Sequence, residues 1–324
     1  SELELALYSQ RLWRELAETL PDFEFAPKGG LVVATTDAMA QRLAETMELQ
    51  QAHGVEVSGV ELDQLPELEP RLTRDLASAA VYGQDAQVQP MLATARLLSA
   101  HPDRVTVIEL CAVTQIDRDA FGRVVGVSTS QGSCSTPIVV NAAGTWSGEI
   151  AALAGVKVPV LPRRGFILVT QPLGQVIRHK VYTAEYLLNV ASDSAELETS
   201  TVVESTRAGT VLIGASRERI GFDRTPNPQA LSRLAQGAIA LFPFLADVKL
   251  IRTYQGFRPY CPDHLPVIGE DVRVEGLYHA CGHEGAGIGL APATAKLIAD
   301  WATDQPLELE LAPFRPERFE VPVG

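Results

Sequence analysis

Apolar residues recur at helical spacing at the start of the chain. Leu5, Tyr8, Leu12 and Leu16 share one face, Ser1-Glu2-Leu3-Glu4 reads as a capping box, and Pro21 ends the helix. A strand over 31–35 follows the turn at Gly29 and Gly30. Asp37 caps a helix through Ala40, Leu43 and Met47, which Gly54 closes. Residues 55–61 read as a strand, Pro66 and Pro70 punctuate a polar connector, 79–82 is a short strand, and 90–100 is a helix. Strands are predicted over 105–111, 123–129 and 137–140. The first two flank an acidic turn at 117–122, so a hairpin is expected there. A short helix over 146–153 follows the small-residue turn 141–144.

The next stretch changes character. Strands over 166–170, 185–190, 201–204 and 210–215 have little helix between them, and Arg207-Ala208-Gly209 joins the last pair as a hairpin. A helix over 228–242, a strand over 248–254 and a long helix over 291–301 follow. Pro292 suits the first turn of that helix, where an N–H is not needed. The proline-rich tail after Pro306 is expected to wrap the surface. Segments rich in βα alternation thus enclose an antiparallel block. The fold class is α/β (α+β), with two interleaved domains: 83–157 with 253–305, and 21–82 with 158–252. Residues 1–20 form a connecting helix and 306–324 a C-terminal tail.

Composition narrows the function. The chain has 324 residues, 46% of them apolar, which supports a large core. A net charge of −13 argues against nucleic-acid binding, which needs a basic footprint. Cys111, Cys134, Cys261 and Cys281 are few and scattered, which points to a reducing compartment rather than a disulfide framework. No apolar run approaches a membrane span and no signal-peptide pattern is present, so a cytoplasmic enzyme is expected.

The candidate chemistry lies in 256–292. A lone arginine, Arg258, sits between apolar strand-like runs, and a later strand leads into Gly282-His283-Glu284-Gly285-Ala286-Gly287-Ile288-Gly289 and a helix. A glycine loop at a helix N-terminus turns backbone N–H groups and the positive dipole end toward an electron-rich ligand. A guanidinium beside it suits a carboxylate, since its planar fork bonds both oxygens. Cys261-x-x-His264 and Cys281-x-His283 superficially resemble a zinc set, but the second spacing is too short and no metal is expected.

Five stretches, in order, resemble the FAD-dependent D-amino-acid oxidase, glycine oxidase and sarcosine oxidase superfamily. They are Val139-Val140-Asn141-Ala142-Ala143-Gly144-Thr145-Trp146-Ser147, Pro162-Arg163-Arg164-Gly165, the run from Gly214 to Asp223 that contains Ser216-Arg217-Glu218, and the segments 256–269 and 276–292. Within it, the chain is most similar to the group holding the hydrogen cyanide synthase oxidoreductase subunit and the D-hydroxyproline and sarcosine dehydrogenase β subunits. The resemblance implies a Rossmann-like FAD domain interleaved with an antiparallel substrate domain. It also implies oxidation of an amino acid or secondary amine at its C–N bond, with oxygen or an electron-accepting partner subunit taking the electrons. Relatives begin with a strand, a G-x-G-x-x-G turn and a helix that seat the FAD pyrophosphate. That fingerprint is absent from these 324 residues. The FAD domain is therefore expected to be incomplete at its N-terminus, and FAD to be held weakly or not at all by this chain alone. The alternative is a non-catalytic remnant or subunit serving as an assembly or binding module.

By the same resemblance Arg258 binds the substrate carboxylate. Gly285, Ala286, Gly287 and Ile288 lie along the flavin pyrimidine edge. Ala142, Gly144 and Trp146 pass the adenosine and ribose, and the backbone of Val113 meets adenine. Tyr260, His283, His264 and Tyr186 are candidates for the pocket wall, or half-buried polar residues with no such role. Phe166 stands where many relatives carry a polar residue, which puts a flavin-side hydrogen bond there in doubt.

Overall fold

Residues 1–190 and 194–319 are described in the computed structural model of the chain. It divides into two compact units. The first is Ser1–Pro21, Thr94–Arg163 and Phe257–Gly324, and the second is Asp22–Ala93 and Arg164–Gly256.

Two helices from opposite ends of the chain organise the first unit. Helix Glu2–Thr19 starts with the expected capping box between Ser1 and Glu4. Its Leu5 and Tyr8 share a core with Leu290, Ala293 and Leu297. Those three belong to helix Gly287–Ala302, which begins at Gly287 and not at 291 as its sequence suggests. Pro292 therefore lies inside the helix, where the missing N–H leaves the Ile288 carbonyl without its usual donor. The indole Nε1 of Trp13 donates to that carbonyl at 3.0 Å. The next backbone N–H, of Ala293, donates to Ser9 Oγ at 3.3 Å. The first helix thus repairs the ladder that the proline breaks. The tail joins the same core: Leu311 and Phe314 are 2% and 1% exposed, so it docks by apolar anchors and does not merely wrap the surface. Residues 320–324 lie outside the described residues.

A small sheet holds the rest of this unit. Leu277–Cys281 lies centrally, antiparallel to Val267–Glu270 and parallel to Val139–Asn141. Register places His279 beside Asn141. Both are buried, and so is Asp271. Asn141 Nδ2 donates to His279 Nδ1 at 3.2 Å and to the Ser147 carbonyl at 2.9 Å. With Nδ1 accepting, the ring proton sits on Nε2, which donates to Asp271 Oδ2 at 3.2 Å. Arg273 completes the chain, with Nε 2.7 Å from Oδ1 and Nη2 2.6 Å from Oδ2 of Asp271. Burial pushes the Asp271 carboxyl up, but hydrogen bonds from Arg273 and His279 outweigh it and hold the group well below the usual carboxylate range.

The expected strand over 105–111 does not form. The segment is irregular and exposed, with Val107 at 57% and Leu110 at 96%. An apolar run becomes a strand only where a neighbour completes its ladder, and among the described residues no strand pairs with it. The hairpin forms one step later, from Val113–Arg118 and Val124–Thr129. Its turn is set by Asp119, whose Oδ1 accepts from Phe121 N at 2.8 Å and Arg123 N at 3.0 Å.

The second unit is built on a sheet of eight strands, of which Leu161–Thr170 and Leu250–Tyr260 continue across its boundary. The hairpin Glu198–Ser205 and Val211–Arg217 turns at Gly209, where φ is +85°. Residues Glu185–Val190 form a helix and not the predicted strand. A short apolar run has the same appearance in either state. The sheet position is taken by Lys180–Thr183, parallel to Gly30–Ala34, and Leu187 N then turns back to the Ala184 carbonyl at 3.1 Å. Helix Pro228–Leu241 is capped by Asn227 and buries Ala230, Leu234, Ala238 and Leu241 against Val203, Val211 and Ile213. Phe166 belongs to this core, 3% exposed, with its N–H donated to Ser216 Oγ at 2.9 Å. Buried Arg164 pairs with Glu218 at 2.9 Å and donates to the carbonyls of Asp223 and Thr225, which accounts for much of the motif running to Asp223. Among the described residues no helix is long and apolar enough to cross a membrane.

Trp13→Phe keeps most of the packing but leaves the Ile288 carbonyl without its indole donor. A loss of about 1–3 kcal/mol is expected, read from urea unfolding midpoints. Asp271→Asn removes the charge opposite Arg273 and should cost about 3–5 kcal/mol at neutral pH. The wild-type contribution is full above about pH 4 and is lost as pH falls through the depressed folded pKa. The variant should therefore show a flatter decline of stability below pH 4. Parallel acid curves would assign the decline to other groups.

Candidate functional site

Gly282, at φ +75°, turns the chain out of strand Leu277–Cys281. A single 3-10 turn, Glu284–Ala286, then feeds directly into helix Gly287–Ala302. Gly285, Ala286, Ile288 and Gly289 are exposed, and Gly287 is half-buried. The first N–H groups of a helix have no intrahelical acceptor, so this loop presents donors at the positive end of a long helix.

Strand Leu250–Tyr260 carries Arg258 to the same place. A Cβ built on Gly285 would stand 3.6 Å from Cδ and 3.7 Å from Nε of Arg258, so the arginine stem lies along the glycine. Thr145 Oγ1 donates to the Phe257 carbonyl at 2.8 Å. That bond ties the turn bearing Ala142, Gly144 and Trp146 to the residue next to Arg258. Tyr260 is 1% exposed at the strand's end, with the His264 ring edge-on at 5.5 Å. His283 Nε2 meets Thr294 Oγ1 at 2.9 Å. Burial pulls the His283 pKa down to about 4, so its ring is neutral at neutral pH.

Most of the residues singled out from the sequence therefore converge within the first unit. Val113 stands at the head of the hairpin, half-buried and paired with Thr129. Tyr186 lies in the second unit, on helix Glu185–Val190, edge-on to Tyr182 at 5.6 Å and beneath the Arg217 guanidinium at 5.2 Å.

Three participants were not singled out from the sequence. Arg163 is 0% exposed, its Nη1 donating to Glu284 Oε1 at 2.6 Å and its guanidinium 5.3 Å over the Tyr260 ring. Glu284 sits at φ +47°. Thr145 is the third. Arg163 and Glu284 both stand inside motifs that were recognised. Neither the consecutive arginines nor the acid in the glycine loop reveals from sequence which one pairs with which.

The arrangement fits the ring edge of a flavin. A Cβ at Gly144, where φ is +55°, or at Gly289 would meet nothing within 4 Å, so both turns border open space. Trp146 beside the first turn and Ile288 beside the second are 47% and 43% exposed and add apolar surface to each, and the glycine loop supplies donors. A flat apolar ring with an electron-rich polar edge matches that surface. Burial pushes the Cys261 and Cys281 thiols up to about 12. Among the described residues no cluster of three or more His, Cys, Asp or Glu could hold an ion.

The chain is similar to several known proteins. The hydrogen cyanide synthase subunit HcnC of Pseudomonas aeruginosa is 31% identical, over 98% of this chain and 74% of that protein. The glycine oxidase of Pseudomonas putida is 32% identical, over 97% and 82%. Among solved structures, the L-proline dehydrogenase of P. horikoshii superposes with a TM-score of 0.87 at 25% identity, covering 97% of this chain and 82% of that one. The glycine oxidase of Geobacillus kaustophilus gives 0.86 at 27%, covering 98% and 83%. The model of the FAD dependent oxidoreductase family, DAO, matches residues 1–301. A glycine loop opening a long helix, with an arginine laid along it and a family match over nearly the whole sequence, leads to one assignment: this chain belongs to the DAO family of FAD dependent oxidoreductases.

Proposed function

We propose that the protein oxidises an amino acid or secondary amine at the carbon next to nitrogen, with Arg258 holding the substrate carboxylate. The observation that carries this reading is the contact of the Arg258 stem with Gly285, which puts a guanidinium beside the donor-rich start of helix Gly287–Ala302. Glycine oxidases and an L-proline dehydrogenase among the similar proteins make small amino acids and cyclic secondary amines the substrates to try first.

FAD, when bound, supplies the hydride acceptor. Gly285, Ala286, Gly287 and Ile288 would line its pyrimidine edge, while Ala142, Gly144, Trp146 and the backbone of Val113 would follow its adenosine side. The first unit is then the cofactor domain and the sheet of the second unit the substrate domain. The loop donors and the helix dipole stabilise negative charge that builds at the ring edge. Arg258 fixes the substrate through a paired hydrogen bond to its carboxylate, which orients the reacting C–H. Tyr260 closes the pocket wall beneath Arg163. His283 is neutral and hydrogen-bonded, and it holds the loop against Thr294 without donating a proton. A neutral amine that loses hydride becomes an iminium ion without a side-chain base, and water hydrolyses that ion to a carbonyl compound and an ammonium ion.

The decisive experiment is to load the protein with FAD and assay glycine, sarcosine and proline with oxygen and with an artificial electron acceptor. Turnover with peroxide release marks an oxidase. Turnover only with the acceptor marks a dehydrogenase that passes electrons to a partner. A yellow, loaded protein inactive on every amine would favour a binding module instead.

Arg258→Ala should lower kcat/KM by about two to four orders of magnitude, corresponding to about 3–5 kcal/mol for the substrate carboxylate left unpaired, with flavin content unchanged. Near-normal kinetics would remove Arg258 from the site. His283 gives a separate test. Its folded pKa of about 4 lies below the ordinary value of 6.5, so between those values the unfolded chain binds a proton that the folded one does not. Stability should fall over that range by up to about 1.4 kcal/mol per pH unit from this group. His283→Gln should flatten that slope in urea midpoints at pH 7, 5.5 and 4.5, and leave the pH dependence of kcat/KM between 6 and 8 unchanged.

A further inference from the structure

The C-terminal tail carries an arginine that the proposed reaction does not use. The match to the family model ends at residue 301, before this tail. Leu311 and Phe314 dock the tail in the core that holds Leu290, Ala293 and Leu297 of the long helix. Arg318, in the turn Pro316–Phe319, divides its donors between two segments. On the tail side, Nη1 donates to the carbonyls of Phe314 at 2.7 Å and Arg315 at 3.1 Å. On the other side is the turn that follows strand Leu250–Tyr260. There Nε donates to Asp263 Oδ2 at 2.7 Å, and Nη2 donates to Asp263 Oδ1 at 3.3 Å and to the Leu265 carbonyl at 2.8 Å. The Arg318 side chain, 15% exposed, thus grips the residues on either side of His264.

At His264 that grip reaches the candidate site. The His264 backbone is left-handed, at φ +60°, a conformation that an L side chain adopts only when its surroundings hold it. Its N–H donates back to the Cys261 carbonyl at 2.9 Å. Its ring stands edge-on to the Tyr260 ring at 5.5 Å, and Nδ1 lies 3.7 Å from Glu284 Oε2. Tyr260 and Arg258 alternate with Pro259 on one strand, so their side chains leave it on the same face. Glu284 immediately precedes Gly285, along which the Arg258 stem lies. His264 therefore touches both segments that flank Arg258, and Arg318 holds the turn that presents it. We propose that Arg318 is a positioning residue: it fixes His264 against Tyr260 and Glu284 and so sets the pocket wall beside Arg258. The planar guanidinium suits this task, since one fork bonds both Asp263 oxygens while its other edge holds the tail. The role is exerted through His264, and it rests on the assignment of the substrate carboxylate to Arg258.

The test uses the FAD-loaded full chain, with acetate as an unreactive carboxylate whose affinity is read by calorimetry. Arg318→Ala should weaken acetate and raise KM by about tenfold each, and leave kcat within about twofold, because the loss is of positioning in the bound state. Arg318→Lys should not restore affinity, since an ammonium lacks the planar fork. His264→Ala should reproduce the loss, and adding Arg318→Ala to it should weaken acetate no further, because both changes remove one interaction. Hydrogen exchange gives a reading that needs neither flavin nor turnover. Arg318→Ala should speed exchange of the amides of 263–265 and 283–286 and leave helix Glu2–Thr19 protected. Asp263→Asn weakens the grip from the loop side and keeps the tail bonds. It should shift acetate affinity the same way by a smaller factor, and it carries the test if Arg318→Ala does not fold. Additive losses in the double variant, or exchange that rises throughout the first unit, would make Arg318 a general stabiliser of the fold and overturn the proposal. Acetate binding that survives Arg258→Ala overturns the carboxylate assignment and this proposal with it.

Discussion

The missing N–H of Pro292 is the constraint on which the first unit depends. The helix that starts in the glycine loop must be rigid enough to aim its first donors, yet it carries a proline one turn in. Without a substitute donor the Ile288 carbonyl would be left unsatisfied beside the apolar core, at a cost comparable to a lost hydrogen bond. Trp13 supplies the donor and Ser9 an acceptor, both from a helix at the other end of the chain. The proline also has a use. It disrupts the ladder near the helix start, so the exposed loop and the buried body of the helix meet different demands. The open glycine turn faces outward while Leu290, Ala293 and Leu297 remain locked in the core.

The two consecutive buried arginines are each managed by pairing. Arg163 and Arg164 are consecutive in one strand, so their side chains leave it in opposite directions. Each finds a glutamate: Glu284 at 2.6 Å in the first unit and Glu218 at 2.9 Å in the second. An uncompensated buried guanidinium would be costly, so each acid is as fixed as the arginine it serves. The Asp271, His279 and Asn141 chain follows the same logic in the small sheet. Its far end accepts the Ala143 N–H on Asn141 Oδ1 at 3.3 Å. A buried ion pair thereby reaches, through one imidazole and one amide, to the turn that carries Gly144 and Trp146. The proposed site is supported from behind on both sides by buried polar networks and not by apolar packing alone.

Much of this was legible in the chain. The capping box of the first helix, the hairpin at Gly209 and the amphipathic helix after Asn227 depend on neighbours within a few residues, and they formed where their patterns placed them. Arg258 and the glycine loop were recognisable because their motifs are long. Elements that need a partner fared worse. The apolar run 105–111 has strand composition but no ladder partner among the described residues, and it stays irregular. Residues Glu185–Val190 have the apolar content of a strand, yet Lys180–Thr183 holds the place beside Gly30–Ala34 and the run coils into a helix. The start of helix Gly287–Ala302 was missed because Pro292 looks like a first-turn residue until Trp13 is seen to stand in for its N–H.

The sequence by itself determined the class of fold, the family and the loop-and-arginine pairing. Those rest on local propensity and on residues that recur together within short stretches. Tertiary structure decided which glutamate neutralises which arginine, which indole completes the long helix, and which strand occupies each sheet position. These are contacts between residues far apart in the chain, and their energies exist only once the chain has folded to bring them within a few ångströms. Tyr186 and Glu284 illustrate the division. From sequence the first is a candidate for the pocket wall or a half-buried polar residue, and the fold sets it edge-on to Tyr182, while the second reads as one more loop acid and is the partner of a wholly buried arginine.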